Sequence, residues 1–262
     1  MQTHGAVASR VMGDEKVNDV FTDWTTADVR PEVKVTLGML AKLTRQPREF
    51  GPADMTPLLE MGISAAGIEH AVIIGGYIFN YQNRMADALG AEVPKGKAKR
   101  AGSMLNLMGR KMIERRTANG EMIPYDGVVP EQIQAMVDNV TKKPGDADLT
   151  LRQAIFDHSL THLDLSQAEI DIPESLMYYV DGIALQASVL TDEDVQDLLT
   201  AGWSEAEVFE ITATASIAAG YGRLQIAWNA LAEAQALNSI KTLPFAQSHV
   251  LTNNSNPAIL PY

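Results

Sequence analysis

Two segments of the chain, about 140 residues apart, repeat the same pattern of a glycine turn, a helix cap and a long apolar helix. The first runs from Met61 to Leu89 and the second from Ala201 to Leu231. Each starts with Gly-x-Ser, in which Gly is typical of a left-handed helix end and Ser is a preferred N-cap of the next helix. Two units that each expose an apolar face can bury those faces against one another. The repeat therefore predicts an all-α fold built from two pseudo-repeated helical units.

The repeat extends backwards from the long helices and organises most of the chain. Residues 38–64 parallel residues 182–204, with four extra residues in the first copy. Each unit is predicted to contain a helix, a short capped helix, the Gly-x-Ser turn and the long helix. Val and Ile fall at helical spacing rather than alternating with polar residues, so no strand is predicted. The predicted divisions are an N-terminal arm at 1–30, a first unit at 31–125, a second unit at 126–237 and an extended C-terminal tail at 238–262.

The composition of the chain excludes several classes of function. Lys and Arg total 21 against 33 Asp and Glu, and the formal net charge of −12 opposes general affinity for nucleic acid or anionic membranes. No stretch approaches the roughly 20 apolar residues of a membrane span, and the N-terminus lacks the pattern of a secretory signal. We therefore expect a cytoplasmic protein without nucleic-acid or membrane partners. The absence of cysteine excludes disulfides, thiolate metal ligands and cysteine nucleophiles.

A basic segment interrupts this acidic chain between the two units. Residues 95–116 hold eight Lys and Arg residues against one acidic residue, Glu114. Leu105, Met108 and Met112 give the segment an apolar stripe at helical spacing, which predicts an amphipathic helix. We expect this helix to pack against the body of the protein or a neighbouring subunit, with a polyanion site as the alternative.

The first long helix ends in a specific string, Phe79-Asn-Tyr-Gln-Asn-Arg-Met-Ala-Asp-Ala-Leu-Gly90. With the Gly-x-Ser turn before it, this string resembles the alkylhydroperoxidase D and carboxymuconolactone decarboxylase superfamily, most closely its peroxidase-related branch. The second unit, at Leu190–Val195 and Ala201–Glu210, is similar to cysteine-free members of the superfamily. The resemblance covers roughly residues 31–100 and 151–235, and it implies an all-helical fold that assembles as dimers, trimers or hexamers.

The resemblance does not carry over the thiol chemistry of the superfamily. Its peroxidase members use Cys-x-x-Cys-x-x-x-His, in which one thiolate attacks the O–O bond and a second thiol resolves the product. When this motif is laid on residues 151–162, its two cysteines fall on Ile155 and His158, and only His162 matches. We therefore expect no disulfide-based peroxidase or reductase activity.

The first long helix carries the best constellation of polar side chains. Residues spaced at i, i+4, i+7, i+11 and i+14 lie along one face of an α-helix, and here they are His70, Ile74, Tyr77, Tyr81 and Arg84, with Asn80 beside them. An imidazole can transfer protons near neutral pH, a guanidinium can hold a carboxylate, and tyrosine hydroxyls and an amide can stabilise an enolate. This face predicts a pocket for a small carboxylated or carbonyl substrate. The alternative is that Arg84 and Asn83 brace the interface between the repeats, or pair with acidic residues of the protein, while Tyr77 and Tyr81 simply pack.

A second candidate lies on the helix predicted between Leu151 and His162. His158 and His162 are one turn apart on the same face, with Asp157 beside them and Asp164 just beyond. The two imidazoles can act as acid–base groups or can simply be satisfied helix residues. Two histidines at this spacing can also ligate one metal ion, but a site needs at least a third ligand, and no His-Glu-x-x-His signature is present.

The leading hypothesis is a cofactor-free enzyme that performs acid–base chemistry on a small organic acid or lactone, as a decarboxylase, isomerase or lyase. The predicted catalytic residues are His70, Tyr81, His158 and His162. The predicted substrate-binding residues are Tyr77, Asn80 and Arg84, and no metal or other cofactor is predicted. We expect a homo-oligomer. The alternatives are a non-catalytic oligomeric binding or scaffold protein on the same fold, and a metal-dependent hydrolase or oxygenase that uses His158 and His162.

Overall fold

The computed structural model describes residue 9 and residues 12–91, 128–167 and 171–241. Within these ranges the regular structure is helical and contains no strand, so the all-α prediction is confirmed there. The basic segment predicted at residues 95–116 lies outside the described residues, as do residues 1–8 of the arm and the predicted tail from residue 242 onwards. None of the described helices combines the length and the apolar character that a membrane crossing requires.

Helices account for most of the described residues. In the first half of the chain they are α1 (Asp14–Asp23), α2 (Pro31–Arg45), α3 (Pro52–Glu60), α4 (Ala65–Ala71) and α5 (Phe79–Ala88). In the second half they are α6 (Val128–Lys142), α7 (Leu149–Thr161), α8 (Glu174–Gln186), α9 (Asp192–Thr200) and α10 (Glu205–Lys241). Short 3₁₀ turns follow α2 at Pro47–Glu49 and α8 at Ala187–Val189. The same order of elements, a helix, a 3₁₀ turn, a short helix and a long helix, therefore occurs twice.

Local signals in the sequence explain how the two long helices begin. The glycines before them, Gly62 and Gly202, have φ angles of +79° and +103°, a left-handed conformation that glycine adopts without steric cost. Ser64 then caps the first long helix, because its Oγ accepts a hydrogen bond at 3.2 Å from a backbone N–H three residues later. The short helix α9 starts with the predicted capping box of Thr191 and Asp194. These predicted helix ends are confirmed.

Helix α10 is 37 residues long and forms the centre of the molecule. It packs against α3, α5, α7 and α8, so residues from both halves of the chain share its core. Gly220 lies where α10 crosses the first long helix. A Cβ at Gly220 would come within 3.2 Å of Tyr77 Cδ2 and 3.3 Å of the Tyr77 carbonyl oxygen. The missing side chain therefore permits the close approach of the two helices.

The first long helix is not α-helical throughout, which differs from the sequence prediction. Residues Val72–Ile78, between α4 and α5, form a π-helix, in which hydrogen bonds span five residues instead of four. This accommodates one extra residue relative to α10, since Ser64 precedes Ser204 by 140 positions whereas Arg84 precedes its counterpart Arg223 by 139. Compared with an uninterrupted α-helix of the same residues, the wider turn rotates the side chains that follow it by about 100° around the helix axis. Side chains of α4 and α5 that regular helical spacing would place on one face therefore lie on different faces of the first long helix.

Candidate functional site

Two buried arginines connect the two halves of the chain. Arg84 on α5 donates a hydrogen bond through Nη1 to the Ile183 carbonyl on α8. Arg223 on α10 donates through Nε to the Thr44 carbonyl on α2 at 3.3 Å and through Nη2 to the Ala184 carbonyl on α8 at 3.4 Å. All three carbonyls belong to the last turn of a helix, where backbone acceptors lack intrahelical partners. The negative end of a helix dipole therefore stabilises each guanidinium charge.

Both guanidinium groups are deeply buried, since Arg84 is 7% exposed and Arg223 is 2% exposed. Burial disfavours the charged form and lowers the pKa of Arg84 to about 10, although the charge of Asp87 opposes this. Burial, and then the charge of Arg84, lowers the pKa of Arg223 well below its usual value. Among the described residues, no carboxylate forms an ion pair with either arginine. The pair is therefore a local excess of positive charge inside an acidic protein.

A cleft of about 470 Å³ lies beside Arg84, between α5, the end of α2 and the end of α8. We call it the interhelix cleft, and its lining residues are Thr44, Arg45, Gly75, Asn80, Asn83, Arg84, Asp87, Leu185, Gln186, Ala187 and Ser188. Asn80 is held in place because its Oδ1 accepts a hydrogen bond from Arg84 Nε at 2.7 Å and its Nδ2 donates to Thr44 Oγ1 at 3.4 Å. The cleft therefore presents a fixed cation and a fixed amide to a small molecule.

The predicted substrate-binding residues separate in the structure. Asn80 and Arg84 line the interhelix cleft, whereas Tyr77 is fully buried in the core. The Tyr77 hydroxyl donates to Met136 Sδ at 3.7 Å, and its ring centroid lies 5.4 Å from that of Tyr81. Burial raises the pKa of Tyr77. Tyr81, a predicted catalytic residue, also packs against the apolar core, so both tyrosines lie where the packing alternative places them.

His70, another predicted catalytic residue, lies on α4, on the other side of the π-helix from Arg84. The 14 positions between them correspond to about 20 Å along a helix axis. Partial burial lowers the pKa of His70. The prediction that His70, Tyr77, Tyr81 and Arg84 share one polar face is wrong, because the π-helix turns α5 relative to α4.

His158 and His162 converge on Asp181 of α8, which is not among the predicted site residues. Their Nε2 atoms lie 2.6 Å and 2.9 Å, respectively, from Asp181 Oδ1. The two rings are in edge-to-face contact, with centroids 4.8 Å apart. The histidines are neighbours because they are one turn apart on α7, and α8 packs against α7. We call these three residues the His–Asp cluster.

The His–Asp cluster is buried at one end and accessible at the other. His158 is buried, and its Nδ1 has no hydrogen-bond partner among the described residues. The side chains of His162 and Asp181 are 21% and 35% exposed. Small molecules and ions can therefore reach His162 and Asp181 from solvent.

No protein-family model, curated protein or solved structure matches this chain. The resemblance to the alkylhydroperoxidase D superfamily therefore stays a prediction, as does the homo-oligomer that it implies. The function has to follow from the chemistry of the interhelix cleft and the His–Asp cluster themselves.

The His–Asp cluster and the interhelix cleft both include residues of α8. Asp181 precedes Leu185, which lines the cleft, by four residues within the helix. Residues at this spacing lie on the same helix face, with Cβ atoms about 5–6 Å apart. Asp181 of the cluster and Leu185 of the cleft therefore lie along one face of α8.

One signal in the sequence points to Asp181. It is the single charged residue between positions 175 and 186, in a helix that is otherwise mostly apolar. A carboxylate in such a helix needs a hydrogen-bond or ion-pair partner from another element. The identity of that partner depends on how α8 packs, which helical spacing does not reveal.

Proposed function

We propose that this chain is an enzyme that binds a small organic acid or lactone in the interhelix cleft and transfers a proton to or from it. The reaction is a decarboxylation, an isomerisation or a related lyase step. One observation carries the proposal. Arg84, a buried cation that has no carboxylate partner among the described residues, lines a cleft of about 470 Å³.

A carboxylate is the ligand group that Arg84 favours most. A guanidinium has five N–H donors in a planar fork, and the hydrogen bonds to Asn80 and Ile183 use Nε and Nη1. A bound carboxylate would offset part of the burial cost that lowers the pKa of Arg84. Arg45 also lines the cleft and adds a second cation. Asp87, an acidic lining residue, can accept a hydrogen bond from a hydroxyl group of the same ligand.

The proton-transferring residue in this proposal is His162. When its Nε2–H donates to Asp181 Oδ1 at 2.9 Å, the lone pair is on Nδ1, which can accept a proton. Asp181 then stabilises the imidazolium that forms. His158 lies 2.6 Å from the same oxygen and holds the carboxylate in place. His70 and Tyr81 have no catalytic role in this proposal.

Binding is tested by ligand-induced stabilisation of the full chain. The melting temperature is measured with a panel of small mono- and dicarboxylates and with the matching amides. We expect carboxylates, but not amides, to raise the melting temperature of the wild type, and Arg84→Gln to lose the increase. Arg48→Gln is the control, because Arg48 is exposed and lies outside the residues that line the cleft. Equal stabilisation of the wild type and Arg84→Gln contradicts the proposal.

Proton transfer is measured separately from binding. A carboxylate that binds is incubated with the protein in D₂O, and its carbon-bound hydrogens are followed by NMR. We expect exchange or turnover by the wild type, and its loss in His162→Gln with binding retained. Binding without any exchange or turnover supports the non-catalytic binding protein instead.

A further inference from the structure

We propose that the His–Asp cluster binds a divalent transition-metal ion such as Fe²⁺, Mn²⁺, Co²⁺ or Zn²⁺. The metal site itself is argued from the geometry of the cluster alone. Only the use of the ion as a cofactor for the cleft rests on the proposed function. The ligand atoms of His158, His162 and Asp181 all lie within 4.8 Å of one another. Within the described ranges this is the one group of three or more His, Cys, Asp or Glu residues arranged in this way.

The distances between the three ligand atoms lie on either side of those found around one ion. Both Nε2 atoms approach the same carboxylate oxygen, at 2.6 Å and 2.9 Å. Zinc binds imidazole nitrogen and carboxylate oxygen at about 2.0–2.2 Å, so neighbouring ligand atoms around such an ion are about 3.0–3.5 Å apart. To bind one ion, the Asp181 oxygen has to move away from both Nε2 atoms, and the side chains have to rotate so that all three atoms, now within 4.8 Å of one another, reach this spacing. The exposed side of Asp181 gives the ion a path from solvent.

The helices hold the three ligands in a defined arrangement. His158 and His162 are four residues apart on α7, and Asp181 comes from α8, which packs against it. Two imidazoles and one carboxylate, without sulfur, favour Fe²⁺, Mn²⁺, Co²⁺ or Zn²⁺ over Cu⁺. Three protein ligands leave at least one coordination position for water or for a ligand.

The surroundings of His158 predict a moderate affinity for the ion. A metal-bound imidazole normally donates its other N–H to a nearby acceptor. Nδ1 of His158 is buried and has no partner among the described residues. Loss of such an outer partner weakens metal binding by about 10–100-fold. We therefore expect this site to release its ion to a chelator more readily than a closed structural zinc site does.

A metal ion in the cluster changes which group accepts the proton in the proposed reaction. His162 would bind the ion through Nε2 and keep its proton on Nδ1, so it could not act as the base. A divalent ion lowers the pKa of bound water, so a water molecule on an open coordination position could lose a proton to solvent, and the hydroxide that remains would accept the proton of the ligand and become water again. Asp181 precedes the cleft-lining Leu185 by one helical turn, so the ion would share a face of α8 with the interhelix cleft.

The test is a metal titration of the chelator-treated full chain. Co²⁺ is the probe, because its visible absorption reports its ligands, and competition with Zn²⁺ follows. We expect the wild type to bind one equivalent of Co²⁺, and His162→Gln and Asp181→Asn to bind it at least about tenfold more weakly. His70→Gln removes a histidine from another helix and is the matched control, which should bind like the wild type. Circular dichroism checks that each variant is folded. If either His162→Gln or Asp181→Asn unfolds, the Co²⁺ affinity of the other variant decides the test.

Two results would overturn the metal site. One is the absence of saturable Co²⁺ and Zn²⁺ binding by the wild type, and the other is binding that Asp181→Asn leaves unchanged. Carboxylate-induced stabilisation is measured on the same metal-free protein, so the two proposals can fail separately. Carboxylate binding without metal binding refutes only the metal site. Metal binding without carboxylate binding refutes only the proposed use of the cleft.

Discussion

Replacing Arg84 by Met removes two opposing effects of the guanidinium group on the stability of the fold. One is the cost of burying its charge, and the other is the gain from its hydrogen bonds. Methionine keeps an unbranched stem but removes the charge and the donors to Asn80 and Ile183. Because Arg84 is only 7% exposed, both effects act in the protein interior. The free energy of unfolding of Arg84→Met therefore measures how nearly they cancel.

The expected change in the free energy of unfolding follows from these two opposing contributions. Burial lowers the pKa of Arg84 from its ordinary value to about 10, and each pKa unit corresponds to about 1.4 kcal/mol, so the charged form is disfavoured by about 3 kcal/mol. Hydrogen bonds to a charged group contribute about 1.5–3 kcal/mol each, and the variant loses the two to Asn80 and Ile183. We expect Arg84→Met to lower the free energy of unfolding by between about 0 and 3 kcal/mol. Arg84→Ala also loses the stem, so it is expected to cost more.

Arg223 provides a double-mutant test of the same reasoning. The charge of Arg84 helps to lower the pKa of Arg223, so the two guanidinium groups repel one another. Each single Arg→Met substitution relieves this repulsion, but the double substitution relieves it only once. The double variant should therefore be less stable than the sum of the single effects predicts.

The assay is urea-induced unfolding at neutral pH, followed by circular dichroism. It compares the wild type, Arg84→Met, Arg223→Met and the double variant. Arg48→Met is the control, because it removes an exposed arginine. A loss well above about 3 kcal/mol for Arg84→Met would refute the reasoning, because the hydrogen bonds would then far outweigh the burial cost. A double variant that is more stable than additivity predicts would also refute it.

Three further substitutions test single contacts in the fold. Gly220→Ala is expected to destabilise it by about 1–3 kcal/mol, because the added Cβ meets a backbone oxygen of the first long helix at 3.3 Å; an unchanged urea midpoint contradicts this. Burial lowers the pKa of His70, so the unfolded state binds more protons and stability falls as the pH drops below 6.5. His70→Gln should make the melting temperature depend less on pH between about pH 5 and 8. An unchanged pH dependence would contradict the inference that buried His70 causes the loss of stability. Tyr179→Phe is expected to lower the free energy of unfolding by about 1–3 kcal/mol, because the buried Thr212 hydroxyl 2.8 Å away loses a partner. Tyr178 is exposed, so Tyr178→Phe is the control. A loss for Tyr179→Phe that is no larger than the loss for the control would argue against that hydrogen bond.

The helical architecture could be predicted from the sequence because its signals are local. Gly62 and Gly202 end helices in a conformation that other residues rarely adopt. Thr191 and Asp194 form a capping box within one turn of chain. Such signals do not depend on which distant segment packs against the helix, so spacing and residue type are enough to detect them.

The candidate site could be predicted only in part, because distant segments build it. His158 and His162 are visible together in the sequence, but Asp181 joins them only through the packing of α8 against α7. The spacing of polar residues also places Arg84 on the face of His70, although the π-helix between them turns the two apart. Helical periodicity assumes a constant number of residues per turn, so it cannot show where that number changes.

The π-helix explains how the first long helix holds one residue more than the matching part of α10. If one codon were deleted within Val72–Ile78, the segment could close into a regular α-helix, and α5 would keep its orientation because the wide turn already absorbs one residue. Arg84 would stay at the Ile183 carbonyl, and Asn80 would stay at Thr44. A change of one codon in this segment would therefore alter its own side chains without turning Asn80 and Arg84 out of the interhelix cleft.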